Sequence, residues 1–428
     1  MRQTSGSSGT VRWGRRASGR TRTVLVVAAT LAGLLVAPTT AAGVSDTCQG
    51  RPATIVADSD GGTGTEGDDV IVSHNTDVDA LGGDDLICLD AGTVNAGDGD
   101  DSILVTPSDK RRSVRASLGA GDDRFVGSGG SDYVVVEAVS PGADNISTGA
   151  GNDIVRSGAG WGPANLVVDL GAGRDDLVLA FAAGSSAQVQ AGEGTDDLFV
   201  EGDPADYVFD LGTGLVTGSG VAMASLPGFE NYEIHLGSTS GLRVLGTPGR
   251  DIMVLAAGRL DLALGDGPDD VFLDFGRSRI PAAGVLDLGP GEDSVQTGKA
   301  QLVVGDLARG SLRLRTGTGR HGDLALVGVE QLRTIAPRVV LRGGAGADRL
   351  SAYGCHVRIR GGAGPDRLVG RSFGLPRCSV RVNGGAGGDR LVGGRGDDRL
   401  GGGRGSDEAL GGTGIDTCRA EHEISCER

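Results

Sequence analysis

Aromatic side chains are scarce in this 428-residue chain, at 3% of its residues. Phe, Tyr and Trp supply much of the bulk of an ordinary core, so repeated turns are expected in preference to one large compact core. Histidine is also rare. Only His74, His235, His321, His356 and His422 occur, and none stands in an H-E-x-x-H arrangement. The pattern G-x-S-x-G occurs once, as Gly370-Arg371-Ser372-Phe373-Gly374 directly after a repeat turn, and the six cysteines form neither a C-x-x-C pair nor a Cys/His zinc spacing. Long apolar runs are missing too. The one candidate, residues 24–37, is short of the roughly 20 residues a spanning helix needs.

That run follows six arginines (Arg2, Arg12, Arg15, Arg16, Arg20, Arg22) and no acid, and small residues follow it at Thr39, Thr40, Ala41 and Ala42. Charged, apolar and small segments in that order predict a secretory signal peptide over residues 1–42; the alternative is an uncleaved anchor. Export makes disulfides the expected state of the cysteines, paired locally as Cys48 with Cys88, Cys355 with Cys378 and Cys418 with Cys426, against the alternative of buried thiols. Cleavage takes away six basic residues of 40, leaving 34 against 56 acidic ones. The excess of acid argues against nucleic acid as a partner and for cations.

Glycine is what the chain has in abundance, at 79 residues. Near the C-terminus it falls into a period of nine: GGAGGDRLV, GGRGDDRLG, GGRGSDEAL and GGTGIDTCR. This fits G-G-x-G-x-D-x-U-x, a parallel β-helix repeat, with Asp389, Asp398, Asp407 and Asp416 at one position and Leu391, Leu400 and Ala409 two places later. The glycines allow positive φ and close approach of neighbouring turns. The aspartate supplies hard oxygen, which Ca²⁺ prefers. A three-residue strand follows, its central side chain alone pointing inward. Two nonapeptides make one coil of 18 residues, so aspartates stack at strand spacing and repel one another unless a cation lies between them.

Residues 384–416 thus resemble the repeats-in-toxin, or haemolysin-type, calcium-binding family. The resemblance implies an all-β, right-handed parallel β-roll with Ca²⁺ between turns. The implied carboxylate ligands are Asp389, Asp398, Asp407 and Asp416, with carbonyls from the preceding glycines Gly385, Gly387, Gly394, Gly396, Gly403 and Gly405. The chain departs from the family in its N-terminal export signal and in lacking an accompanying toxin or enzyme domain.

Looser copies, G-x-D or G-x-x-D with an apolar residue two places on, put Asp69, Asp85, Asp101, Asp123, Asp348 and Asp366 at the same position. Asp153, Asp175, Asp196, Asp251, Asp269 and Asp293 complete the series, and these middle turns either hold calcium or keep only the turn and strand. A longer period of about 97 residues relates Asp153, Asp251 and Asp348. Gly228-Phe229-Glu230-Asn231-Tyr232 and Gly328-Val329-Glu330-Gln331-Leu332 lie at matching places between copies, and are expected to be ordinary strands with an exposed glutamate. Arg349, Arg367, Arg390 and Arg399, each next to an aspartate, either solubilise the surface or offset the acidic columns.

The expected organisation is a signal peptide (1–42), a disulfide-tied degenerate repeat region (43–130), a degenerate β-roll or β-helix (131–340), a calcium-binding β-roll (341–416) and a disulfide-bonded tail (417–428). The function read from it is non-enzymatic: an extracellular scaffold that folds on Ca²⁺, with no membrane span after cleavage. The rivals are a cell-surface adhesin with a glycan or surface partner, and a polysaccharide-active enzyme. Repetition of the acidic pairs turn after turn fits structural metal sites better than one active site.

Overall fold

A computed structural model describes residues 46–427 except 107–111, 138–141, 159–164, 182–184, 203–204, 275–282 and 374–377. The expected signal peptide lies outside the described residues, as does the insertion around Pro376. The described chain is a solenoid of β-strands, interrupted by one 3₁₀ turn at Leu307–Arg309. Two long sheets, of 18 and 22 strands among the described residues, run the length of the stack. Successive coils contribute to each sheet in parallel register, the arrangement of a parallel β-roll or β-helix. No helix among these residues is long and apolar enough to cross a membrane.

Alternation along each strand builds the core. Leu350, Leu368, Leu391 and Ala409 stack in one column of one sheet; Val382, Leu400 and Cys418 stack in the other, and all are buried. The interior is narrow and needs few aromatics, which is why 3% of them suffices. The inward side chain of each strand is usually not alone, contrary to the three-residue expectation. Arg349–Gly354 buries Leu350, Ala352 and Gly354, because the strand runs on until the next turn. Strands as short as Arg390–Val392, with one buried position, also occur.

Coil length varies more than a strict 18. The first coils advance by 16 residues, as in Val70 beside Leu86 and Leu86 beside Ser102. Those that follow advance by 21 or 22, as in Arg124 beside Asn145 and Asn145 beside Val167. The 18-residue coil holds where the nonapeptide is regular, as in Arg349 beside Arg367 and Leu400 beside Cys418. The turns absorb the differences, since strand register is preserved across them.

The 97-residue period has a physical counterpart in two insertions. Tyr207–Asp210, Leu215–Gly218 and Val221–Ser225 form an antiparallel meander within the longer sheet, and Leu302–Asp306, Ser311–Arg315 and His321–Val327 form another. The disulfides pair as expected. Cys48–Cys88 ties the small ribbon Thr47–Cys48/Arg51–Pro52 beside Val70, Val72 and Leu86; Cys355–Cys378 joins two neighbouring coils across Cα atoms 4.3 Å apart; Cys418–Cys426 closes the last coil.

Candidate metal-binding turns

Each repeat aspartate sits at the last position of a turn, just before a strand, and its side chain folds back under the turn into the interior. Asp69, Asp85, Asp101, Asp123, Asp348, Asp366, Asp389, Asp398, Asp407 and Asp416 are all buried, at 0–6% exposure. Such burial is expensive for carboxylates, which are ordinarily exposed unless paired. Here they bond to one another's backbone in ladders.

The N–H of Asp69 donates to Asp85 Oδ1 at 2.7 Å, that of Asp85 to Asp101, that of Asp101 to Asp123, and that of Asp123 to Asp144. A second ladder runs from Asp132 through Asp153, Asp175 and Asp196, and a third from Asp251 through Asp269 to Asp293. A fourth joins Asp348, Asp366, Asp389 and Asp407, and a short fifth links Asp398 to Asp416.

Four ladders end on a glutamate. Glu230 Oε2 accepts from the Asp196 N–H at 2.7 Å, Glu330 from Asp293 at 3.0 Å, Glu421 from Asp407 at 2.9 Å and Glu427 from Asp416 at 2.8 Å. Glu230 is exposed, as expected, and Glu330 is half-buried, but both also accept a ladder N–H, which the expectation of an ordinary strand did not include. Each takes the place of the next aspartate in the coil that carries the inserted meander, where the longer side chain reaches back to the orphan N–H. The tail around Cys418 and Cys426 likewise terminates two ladders.

The ladder uses one carboxylate oxygen and strands the other. Oδ2 of Asp85, Asp101, Asp123, Asp132, Asp153, Asp175, Asp196, Asp269, Asp293, Asp366, Asp389, Asp407 and Asp416, and Oδ1 of Asp398, are buried without a hydrogen-bond partner. In the ladder-opening Asp69, Asp251, Asp348 and Asp398 the backbone N–H of Thr65, Thr247, Gly344 or Gly394 donates to Oδ2, and of these four Asp398 keeps a stranded oxygen, Oδ1.

At Asp132, Asp366, Asp389, Asp407 and Asp416 the stranded oxygen faces the first glycine of its own repeat; at Asp85, Asp101, Asp123 and the other middle turns an Ala, Leu or Thr stands there. A methyl carbon on Gly361 would lie 2.0 Å from Asp366 Oδ2 and 2.5 Å from the Gly384 carbonyl oxygen of the next coil. On Gly384 it would lie 2.1 Å from Asp389 Oδ2 and 2.6 Å from the Gly402 carbonyl. Carboxylate and carbonyl oxygens therefore border the same small space, which exists because the residue lacks a Cβ. Sequence reasoning assigned carbonyls to later glycines instead. Those lie one or three places on: Gly385 and Gly387 (φ +124° and +139°) point their carbonyls along the stack at Gly403 and Gly405, while Gly394 and Gly396 do so at Gly412 and Gly414.

The electrostatics follow from burial. Desolvation first, then repulsion from neighbouring carboxylates, pushes Asp85 up to about 6, Asp101 and Asp269 to about 7, and Asp123 to about 8, against the lowering effect of the N–H each accepts. Asp366 and Asp398 rise to about 6 for the same reasons, and Asp348, Asp389 and Asp416 also rise. Asp69 is the exception: burial raises its pKa, but hydrogen bonds from Thr65 and Thr54 outweigh that and lower it. Among the described residues no three of His, Cys, Asp or Glu converge as a metal cluster. The donor set at turns such as those of Asp366 and Asp389 is instead one carboxylate oxygen with a backbone carbonyl, hard oxygen that suits Ca²⁺ and not zinc.

Sequence reasoning missed Asp132 and Asp144, which are buried like the others. Both obey the rule that found their neighbours, as Gly130-Ser131-Asp132 with Val134 and Gly142-Ala143-Asp144 with Ile146. Arg349, Arg367, Arg390 and Arg399 are exposed, and Arg349 and Arg390 pair with Glu292 and Glu408, at 2.5 and 3.0 Å, not with the buried aspartates.

Fold and turns define a parallel β-roll with repeated acidic turns. The chain carries four copies of the RTX calcium-binding nonapeptide repeat, over residues 117–137, 139–161, 340–368 and 383–418. These stretches cover about a quarter of the sequence and include the turns of Asp123, Asp132, Asp144, Asp153, Asp348, Asp366, Asp389, Asp398, Asp407 and Asp416. No curated protein matches the chain.

Proposed function

We propose that this is an exported scaffold whose β-roll is completed by calcium, with Asp85, Asp101, Asp123, Asp366, Asp389, Asp398, Asp407 and Asp416 as carboxylate ligands. Asp69 and Asp348, which open their ladders, complete the set with their second oxygen already hydrogen-bonded. Gly384 and Gly402 join Gly385, Gly387, Gly394, Gly396, Gly403 and Gly405 as carbonyl donors. The observation that carries the reading is the repeated stranding of a buried carboxylate oxygen, which at Asp366, Asp389 and Asp416 lies against a glycine cradle and a carbonyl of the next coil. A bound Ca²⁺ supplies the positive charge that these oxygens otherwise lack. The chain's own residues do the rest: Oδ1 fixes the register of successive coils, the glycines admit close approach, and the ladder-ending glutamates close each stack.

Its role is structural, since a buried aspartate bonded to the backbone recurs turn after turn along the stack. Three disulfides fit an oxidising compartment outside the cytoplasm. In calcium-poor surroundings the raised carboxylates weaken the fold, and calcium met after export stabilises it by mass action. Calorimetric titration of the EDTA-treated, then desalted, chain with CaCl₂ tests this. Several sites per chain are expected, with affinities of ~10⁻⁴–10⁻³ M as in extracellular modules. Absence of binding at 10 mM CaCl₂, or equal binding of Mg²⁺, would overturn it.

A further inference from the structure

Beyond the acidic turns, the C-terminal coils carry a surface of the opposite sign. On the outer face of the longer sheet, Arg358, Arg381 and Arg399 lie side by side on successive strands. Two residues along, Arg342, Arg360, Asn383, Gly401 and Arg419 form the next column. Neighbouring strands lie about 4.8 Å apart, so these guanidinium groups form a close two-dimensional array. Like charges directly opposite one another cost stability, so the array is unfavourable in isolation.

Three arginines of this sheet, one of them in the second column, have a carboxylate partner. Arg313 pairs with Asp323 at 3.2 Å, Arg259 with Asp261 at 3.4 Å and Arg342 with Asp306 at 3.3 Å. Among the described residues, Arg358, Arg360, Arg381, Arg399 and Arg419 have no carboxylate partner, though all are exposed. The chain as a whole is strongly acidic, at −16. Its acids in this region lie in the turns, with the repeat aspartates folded inward, and leave the sheet face positive.

We propose that this face binds an anionic polysaccharide, bearing carboxylate or sulfate groups, along the stacking direction. Arginine forks bind two oxygens of a planar carboxylate or of a tetrahedral sulfate bidentately, and a repeating anion meets a repeating cation across several coils. A flexible nucleic-acid strand is a poorer fit, because the two columns present no aromatic side chain on which bases stack. A duplex is a poorer fit as well, since a flat sheet offers nothing that enters a groove and the net negative charge opposes its approach.

The test uses the mature chain in calcium, with heparin as the sulfated probe and a duplex DNA of similar length beside it, both read by surface plasmon resonance. The triple variant Arg358→Gln, Arg381→Gln, Arg399→Gln keeps the aliphatic stems; circular dichroism checks its fold. Heparin affinity is expected to fall at least tenfold in the triple variant and to stay within twofold in Arg313→Gln. Unchanged affinity in the triple variant overturns the proposal, and DNA binding as tight as heparin binding overturns the choice of glycan. Should the variant misfold, phenylglyoxal labelling of the unaltered chain decides. Heparin shields Arg358, Arg381 and Arg399 if the face is the site, and equal labelling with and without heparin rejects it.

Discussion

Replacing Asp366, Asp389 and Asp407 together by Asn is expected to change the sign of its effect with calcium. Each side chain accepts a neighbour's N–H through Oδ1, at 2.9 Å in all three cases, which the amide oxygen can keep. The stranded Oδ2 becomes an NH₂ group facing, at Asp389, the carbonyl of Gly402. A buried unsatisfied polar atom costs about 1–3 kcal/mol, so three substitutions stabilise the calcium-free chain by up to ~3–9 kcal/mol. With calcium the opposite holds. At 10 mM and an affinity of ~10⁻⁴–10⁻³ M, each site lost forfeits about 1.4–2.7 kcal/mol of mass-action stabilisation. Urea unfolding followed by circular dichroism, in EDTA and in 10 mM CaCl₂, reads both. Destabilisation of similar size in the two buffers would refute the reasoning, because it would mean that the carboxylates serve only the hydrogen-bond ladder.

Without calcium, stability should depend on pH in a defined direction. Asp85, Asp101, Asp123 and Asp269 have folded pKa values of about 6–8, above the ordinary 3.8, so their contribution is fully present below about pH 4 and is lost as pH rises through 6–8. Melting temperature in EDTA is therefore expected to fall from pH 4 to pH 8, and calcium affinity to rise over the same window as protons are displaced; a flat profile contradicts this. Gly361→Ala, which drives a methyl against Asp366 Oδ2, should lose calcium from that turn by calorimetry, while Gly346→Ala, into open space, should bind as before. Glu330→Ala leaves the Asp293 N–H without its partner and should cost about 1–3 kcal/mol, seen as faster amide exchange at Asp293. Replacing Cys355 and Cys378 by Ser opens a loop of 23 residues and should cost about 3 kcal/mol in denaturant unfolding.

Much of this architecture is legible in the sequence because one position carries two duties. An aspartate followed two places later by an apolar residue marks both the turn and the inward column, which is why Asp389 and Leu391 can be placed by eye. What escapes is whatever a fixed spacing cannot express. Glu230 and Glu330 lie 34 and 37 residues beyond the aspartates they serve, with a meander between, so only the folded register brings them together. Gly384 and Gly361 look the same as their neighbours in the sequence; their proximity to Oδ2 depends on which way the aspartate folds under its own turn. Asp132 and Asp144 obey the rule, nine residues after Asp123 and nine before Asp153, in a stretch where coils of 21 and 22 residues replace 18.

Hydrogen exchange of the mature chain in EDTA and in calcium, read turn by turn, addresses the metal requirement most directly. Strands after Asp366, Asp389, Asp398 and Asp407 are predicted to gain protection with Ca²⁺ and not with Mg²⁺, the effect being smaller after Asp69, whose second oxygen is already hydrogen-bonded. Equal protection of all these strands in the two buffers would contradict a calcium-completed roll and leave a solenoid that holds its aspartates without metal.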